Sequence, residues 1–250
     1  MAGQRLGQHY LIRPDLSLRL AEAACPEPEP LVLEIGPGRG ALTRFLLERA
    51  ARVVAIEIDP RLAAELTTKF RGEERLQVVE ADVLATPLDQ WGPAVVAGNL
   101  PYYITAPILE RLFAMGARLR RGVILVQEEV ARRLTAAPGT RAYGFLTVVT
   151  NLFTQPELLF TVPPSAFRPP PKVRSAAVRL TPRPEADPRE RARFLEFASR
   201  CFRQKRKTLR NNLAAHYGPR IDQQPEAGLR AEQLSLEQLR ALWARLEKSG

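Results

Sequence analysis

Acid is what this 250-residue chain is short of: 27 Asp and Glu stand against 37 Lys and Arg, a formal net charge of +10. A field of that sign suits a polyanion. Cysteine and histidine are scarcer still, two of each: Cys25, Cys201, His9 and His216. That leaves no Cys/His metal cluster and no disulfide framework, and Cys201 and His216 are expected to pack among helix residues. No apolar run reaches the roughly 18 residues of a membrane helix, and residues 1–10 carry no apolar core of the signal-peptide kind. Hydrophobic content is an ordinary 45%, which excludes a disordered chain. The expectation is a soluble, cytoplasmic protein without metal or membrane, long enough for one large domain and a small appendage.

The 22 prolines punctuate the chain. Pro26, Pro28 and Pro30 close a first amphipathic stretch, Pro14 to Ala24. Pro163, Pro164, Pro169, Pro170 and Pro171 mark a rigid extended segment, and Pro182, Pro184 and Pro188 a linker. Between the first and last clusters, short apolar runs (Leu31–Ile35, Val53–Ile58, Leu76–Glu80, Ala94–Gly98, Gly122–Val126) alternate with helical patterns such as Ala41–Ala50 and Arg61–Phe70. Near-continuous apolar strands separated by helices predict a parallel sheet covered on both faces, a doubly wound Rossmann-like α/β domain. Phe145–Phe153 fits either a strand or a buried helix. After Pro188 no strand pattern remains: Arg189–Tyr217 reads as one long helix, and Ser235–Gln238 as a capping box opening a last one with Leu239, Leu242 and Leu246 inward. The boundary is expected between residues 182 and 183, with an α/β catalytic domain over 1–182 and a small all-α domain over 183–250.

Leu31–Thr43 is a strand, a glycine-rich turn and a helix start. Gly36, Gly38 and Gly40 allow a sharp turn and close approach of a ligand. Glu57 ends the second strand, where a carboxylate can accept both hydroxyls of a ribose. Asp82 follows the third strand and can accept from an adenine amino group. These features fit a dinucleotide as well as S-adenosylmethionine, although Pro37 lacks an N–H for a pyrophosphate.

The segment after the fourth strand discriminates. Asn99-Leu100-Pro101-Tyr102 lies at the carboxyl edge, where open α/β sheets bind ligands. An adenine N6 lone pair is delocalised into its ring. Two acceptors for its hydrogens, the Asn99 side-chain oxygen and a backbone carbonyl such as that of Leu100, favour a pyramidal amine and free that pair. The negative face of the Tyr102 ring can stack on the base and stabilise developing positive charge.

Together these segments resemble the ribosomal RNA adenine N6,N6-dimethyltransferases of the kasugamycin-resistance type. Gly7–Leu11, Glu34–Gly38, Glu57, Asp82, Asn99–Tyr102, Gln127–Val130, Ala142–Gly144, Pro163–Phe167, Pro169–Val173 and Phe202–Leu209 match that family's pattern in order, over essentially the whole chain. Tyr10 stands where the family usually has Phe, and Tyr103 where many members have Asn. The resemblance implies S-adenosylmethionine as cofactor, contacted by His9, Leu11, Gly36, Gly38, Glu57, Ile58, Asp82, Val83 and Asn99. It implies that Asn99, Leu100 and Tyr102 hold the target base and that Phe167 packs on its other face. It implies two adjacent adenosines near the 3′ end of small-subunit ribosomal RNA as targets, met on a pre-assembled small subunit by a monomeric enzyme. Little basic sequence precedes Gly7, so an RNA contact made there by longer relatives is expected to be missing.

Arg200, Arg203, Lys205, Arg206, Lys207 and Arg210 fall within eleven residues free of acid. From residue 182 onward, 15 Lys and Arg stand against 9 Asp and Glu, so the smaller segment carries +6 of the net charge. Arg203, Lys205, Arg206, Lys207 and Arg210 are expected to bind RNA phosphates, which position rather than specify. Two rivals remain: a large-subunit adenine methyltransferase of the macrolide-resistance type, and an assembly checkpoint whose binding matters more than its chemistry. Gly7-Gln8, Gly36-Pro37-Gly38 and Asn99-Leu100 favour the small-subunit reading over the first.

Overall fold

A computed structural model describes residues 8–184 and 187–248. In chain order its strands are β1 (Tyr10–Leu11), β2 (Val32–Ile35), β3 (Val53–Glu57), β4 (Leu76–Glu80), β5 (Ala94–Asn99), β6 (Leu119–Gln127), β7 (Thr154–Val162), β8 (Phe167–Arg168) and β9 (Ser175–Pro182). The helices are α1 (Pro14–Ala24), α2 (Thr43–Leu47), α3 (Pro60–Lys69), α4 (Thr105–Ala114), α5 (Glu128–Leu134), α6 (Phe145–Phe153), α7 (Pro188–Cys201), α8 (Leu209–Tyr217) and α9 (Leu236–Lys248).

The chain forms two compact units. One runs to Ala131 and resumes over Pro156–Pro182; the other takes Arg132–Gln155 and the chain from Arg183 on. The sequence reading placed a single boundary at 182/183, and the excursion through 132–155 is absent from it. The ambiguous run Phe145–Phe153 is helix α6, and its Val148 and Leu152 join the apolar core of the second unit.

In the first unit, β2, β3 and β5 pair in parallel because each is buried on both faces: Val32, Leu33, Val53, Val54, Val95 and Val96 have no exposed surface. The seven-stranded order is β4-β3-β2-β5-β6-β9-β7, parallel from β4 through β6, with β9 antiparallel to β6. The order reverses between β2 and β5, which opens the crevice at their carboxyl ends where such sheets take ligands. A Cβ at Gly98 would collide with the Ile35 carbonyl oxygen, so glycine lets β5 close on β2 at that point. The two-residue β1 pairs antiparallel with β8, Tyr10 opposite Arg168 and Leu11 opposite Phe167.

Local chemistry explains the helix starts. Pro14 and Pro60 occupy first-turn positions, where a missing N–H costs nothing. Asp59 caps α3 by accepting from the Arg61 amide at 3.0 Å. The capping box at Ser235 forms as expected: the Ser235 amide donates to Gln238 Oε1 at 2.8 Å and the Gln238 amide to Ser235 Oγ at 3.2 Å.

The second unit buries Phe194, Phe197, Leu213, Leu239, Leu242 and Leu246 in one cluster. Its expected long helix over Arg189–Tyr217 is two helices, broken at 202–208. The break falls in the basic run, where a continuous helix would stack Arg203, Arg206, Lys207 and Arg210 at three- and four-residue spacings with like charges facing. Asn212 seals it, donating from Nδ2 to the Cys201 carbonyl at 2.8 Å and accepting from the Gln204 amide at 3.2 Å, while Thr208 caps α8. Cys25 and Cys201 are fully buried, and burial pushes the Cys25 thiol up to about 11. His216, expected to pack, is exposed, its ring edge-on to Tyr217. Among the described residues, no helix is long and apolar enough to cross a membrane and no group of three His, Cys, Asp or Glu could hold a metal.

Candidate active site

The loops at the carboxyl ends of β2, β3, β4 and β5, with the strap β1, enclose a cavity of about 530 Å³ in the first unit. His9, Leu11, Gly36, Gly38, Glu57, Ile58, Asp82, Val83, Asn99, Leu100 and Tyr102 all line it. Phe167 does not. It is 3% exposed, inside the apolar core with Leu11 and Val162, and Arg168 and Pro169 stand on the wall in its place. A stack of Phe167 on a base would require it to leave that core. Gly7 lies outside the described residues.

The glycine loop brings backbone close to a ligand. Gly38 has φ +53°, and a Cβ there would sit 3.0 Å from the Tyr10 ring. Its amide donates to Glu57 Oε2 at 3.0 Å, and the Asp59 amide donates to Glu57 Oε1 at 3.0 Å. Each oxygen of this nearly buried carboxylate therefore holds one N–H and keeps acceptor capacity toward the cavity. Burial outweighs those donors and raises its pKa. Asp82 is exposed; its Oδ1 accepts from the Leu84 amide at 2.8 Å, which leaves Oδ2 for a ligand.

Asn99 is oriented from outside its own strand. Its Nδ2 donates to the His9 carbonyl at 2.8 Å, so Oδ1 is the open acceptor. The Leu100 amide donates to the Leu125 carbonyl, while the Leu100 carbonyl accepts no bond among the described residues. His9 stacks on Tyr102 with ring centroids 5.6 Å apart, and its Nδ1 lies 2.7 Å from the Pro169 carbonyl oxygen. Tyr102 Oη lies 2.6 Å from Ser175 Oγ.

Two residues of this site carried no role in the sequence reading. Glu34 is a lone acid in an apolar strand, 1% exposed, and lines the cavity with Oε2 unpartnered among the described residues. Burial, reinforced by Glu57, pushes its pKa up to about 8. The lone charge within Leu31–Ile35 is the signal that marks it. Ser175 had no such signal, because its role depends on strand pairing.

In the second unit Arg203, Lys205, Arg206, Lys207 and Arg210 are all exposed. Lys205 donates to the Arg141 carbonyl at 2.8 Å and lies 3.8 Å from Glu232, and Arg210 pairs with Asp222 at 2.7 Å. Arg203, Arg206 and Lys207 carry no side-chain partner among the described residues. The five were expected on a helix face; all but Arg210 lie in the turn between α7 and α8.

The sheet, parallel from β4 through β6 with β9 reversed, its glycine loop and its strand-end acids define a Rossmann-like methyltransferase fold. The sequence model described as "Ribosomal RNA adenine dimethylase" matches residues 2–248, and the chain belongs to that family. Ribosomal RNA small subunit methyltransferase A of Acidobacterium capsulatum is 43% identical over 256 residues, spanning 97% of this chain and 90% of the relative. The protein of the same name from Koribacter versatilis is 40% identical over 98% of this chain and 94% of its own length. Among solved structures, a dimethyladenosine transferase from Plasmodium falciparum superposes with a TM-score of 0.81 at 26% identity, over 97% of this chain and 98% of that one. The 23S rRNA methyltransferase ErmE gives 0.79 at 31%, over 95% and 99%.

Proposed function

We propose that the protein transfers two methyl groups to N6 of each of two adjacent adenosines near the 3′ end of small-subunit ribosomal RNA, on an assembling small subunit. The observation that carries the chemistry is the Asn99 amide: its nitrogen is spent on the His9 carbonyl, so its oxygen and the Leu100 carbonyl stand as the two acceptors that an exocyclic amine requires.

The residues fit S-adenosylmethionine as methyl donor. Glu57 offers acceptor capacity from both oxygens to a ribose, Asp82 an open oxygen to an adenine amino group, and exposed Ile58 with Val83 an apolar slot for the ring. Gly36 and Gly38 leave room for the donor's amino-acid end, and the unpartnered Oε2 of Glu34 lies on the same wall. When bound, the donor supplies a methyl carbon on a sulfonium. Asn99 and Leu100 hold the amine pyramidal, and the Tyr102 ring supports positive charge growing on the base. Neither acceptor is basic enough to take a proton, so positioning carries the rate. The exposed cations at Arg203, Arg206 and Lys207 bind phosphates without reading sequence. The enzyme works as a soluble cytoplasmic monomer.

The likeness to ErmE favours a second reading, methylation of large-subunit RNA; the 43% identity to a small-subunit enzyme supports the first. Incubation with labelled donor and unmethylated small or large subunits, followed by mapping of modified nucleotides, separates them. Two adjacent dimethyladenosines in small-subunit RNA are expected; label confined to large-subunit RNA, or none, overturns the proposal.

A further inference from the structure

Tyr102 sits just past the end of β5, yet its hydroxyl is held from a strand 73 residues further along the chain. The reversed direction of β9 brings this about. Parallel strands deliver their last residues to the carboxyl edge; β9 runs antiparallel to β6 and delivers its first, Ser175, opposite Gln127 at the end of β6. Ser175 has no exposed surface, and Ala176, Ala177 and Val178 after it are equally buried. A hydroxyl in such a place costs free energy unless it is hydrogen-bonded, and alanine would fill the position as well. Its one partner among the described residues is Tyr102 Oη, at 2.6 Å. Tyr102 is itself part-buried, and burial raises its pKa, so the phenol keeps its proton for this bond.

We infer that Ser175 is a positioning residue for methyl transfer: it pins the far end of the Tyr102 ring, and this matters more for the second methyl than for the first. The inference rests on the reading of Asn99–Tyr102 as the segment that holds the target base. In each transfer the N6 lone pair forms the bond to the methyl carbon as the carbon–sulfur bond breaks, the sulfur keeps that electron pair, and N6 loses one proton to water. Before the first transfer N6 carries two hydrogens, one for each acceptor. Afterwards it carries one, so one hydrogen bond is gone and stacking on Tyr102 supplies a larger share of the orientation. A ring free to pivot about its side-chain torsions loses that share.

The test compares Ser175→Ala, Tyr102→Phe, the double variant and Tyr102→Ala in single-turnover reactions on unmethylated small subunits. Monomethyl- and dimethyladenosine are quantified by mass spectrometry, with thermal melts in parallel. The expected result is that Ser175→Ala and Tyr102→Phe each slow the second transfer about fivefold more than the first, the rate equivalent of about one neutral hydrogen bond. Monomethyladenosine then accumulates, and the double variant is no slower than either single one, because both remove the same bond. Tyr102→Ala loses both transfers. A wild-type ratio of products from Ser175→Ala alongside an inactive Tyr102→Ala overturns the tether and leaves the base-holding site intact. Equal loss of both transfers in Ser175→Ala, additive with Tyr102→Phe and accompanied by a fall in melting temperature, also overturns it, since Ser175 then serves only the fold. Full activity of Tyr102→Ala removes the underlying site reading itself.

Discussion

The cavity wall and the basic turn are built on opposite plans. At the wall, the residues read as catalytic or ribose-binding are at least part-buried and already bonded: Glu57 holds two amides, Asn99 is turned by His9, and Tyr102 is tied to Ser175. In the turn between α7 and α8, Arg203, Arg206 and Lys207 extend from the surface with no side-chain partner among the described residues. Chemistry on a weak nucleophile needs fixed angles, and preorganised polar groups supply them without reorganisation at the moment of reaction. Holding a phosphate backbone needs charge and reach, so a fixed geometry adds little. A change at the wall should therefore alter rate, and a change in the turn should alter salt dependence.

The largest expected effect at the wall comes from Asn99→Ala, which should lower the rate of methyl transfer by about 10²- to 10³-fold. RNA affinity in a filter-binding assay should stay within about twofold. Equal losses of rate and affinity would erase the distinction between the two regions.

Glu34 comes next, through stability. Its folded-state pKa of about 8 lies above its ordinary 4.5, so between those values the folded protein holds a proton that the unfolded chain has released. Stability then falls as pH rises through that window. Glu34→Gln has no such proton to lose. Its stability advantage over the parent in urea unfolding should grow by about 4 kcal/mol from about pH 5 to about pH 9. A gap independent of pH would mean that this carboxyl is not the buried acid described above.

Glu57→Ala should weaken donor binding by about 10- to 100-fold in calorimetry, the equivalent of losing charged hydrogen bonds to a ribose. In the turn, neutralising Arg203, Arg206 and Lys207 together should flatten the log–log salt dependence of RNA binding by about two units. Neutralising Lys205 and Arg210, which already have partners, should change it less. The smallest effect belongs to Ser235→Ala, which removes the cap of α9 and should cost about 1 kcal/mol of stability without changing donor affinity.

Strands buried on both faces leave an unambiguous pattern, and Val53–Ile58 is β3, Val53–Glu57, to within one residue; the half-exposed Leu76–Glu80 is β4 to the residue. The loops that follow such strands were equally legible, because glycines, strand-end acids and Asn99-Leu-Pro-Tyr102 sit at fixed offsets from them. Phe145–Phe153 has apolar residues almost throughout, and only its packing against Phe194 and its neighbours decides that it is a helix. The break after Cys201 was hidden because apolar residues keep helical spacing on both sides of it; Asn212 makes it from eleven residues further on. The family resemblance puts Phe167 on the base, while Phe167 pairs through β8 with β1 and is buried in the apolar core. Ser175 depends on the direction of a single strand, which no local pattern encodes. What escaped the sequence is thus set by tertiary pairing, not by residue type.

The central claim is that the donor and the target amine meet at Asn99. A crystal structure of the protein with the demethylated donor, S-adenosylhomocysteine, tests it most directly. The account predicts the ribose hydroxyls on Glu57, the adenine against Ile58 and Val83, and the sulfur facing the Asn99 amide oxygen. A donor seated in another part of the molecule, with the Glu57 and Asn99 side chains untouched, would contradict it.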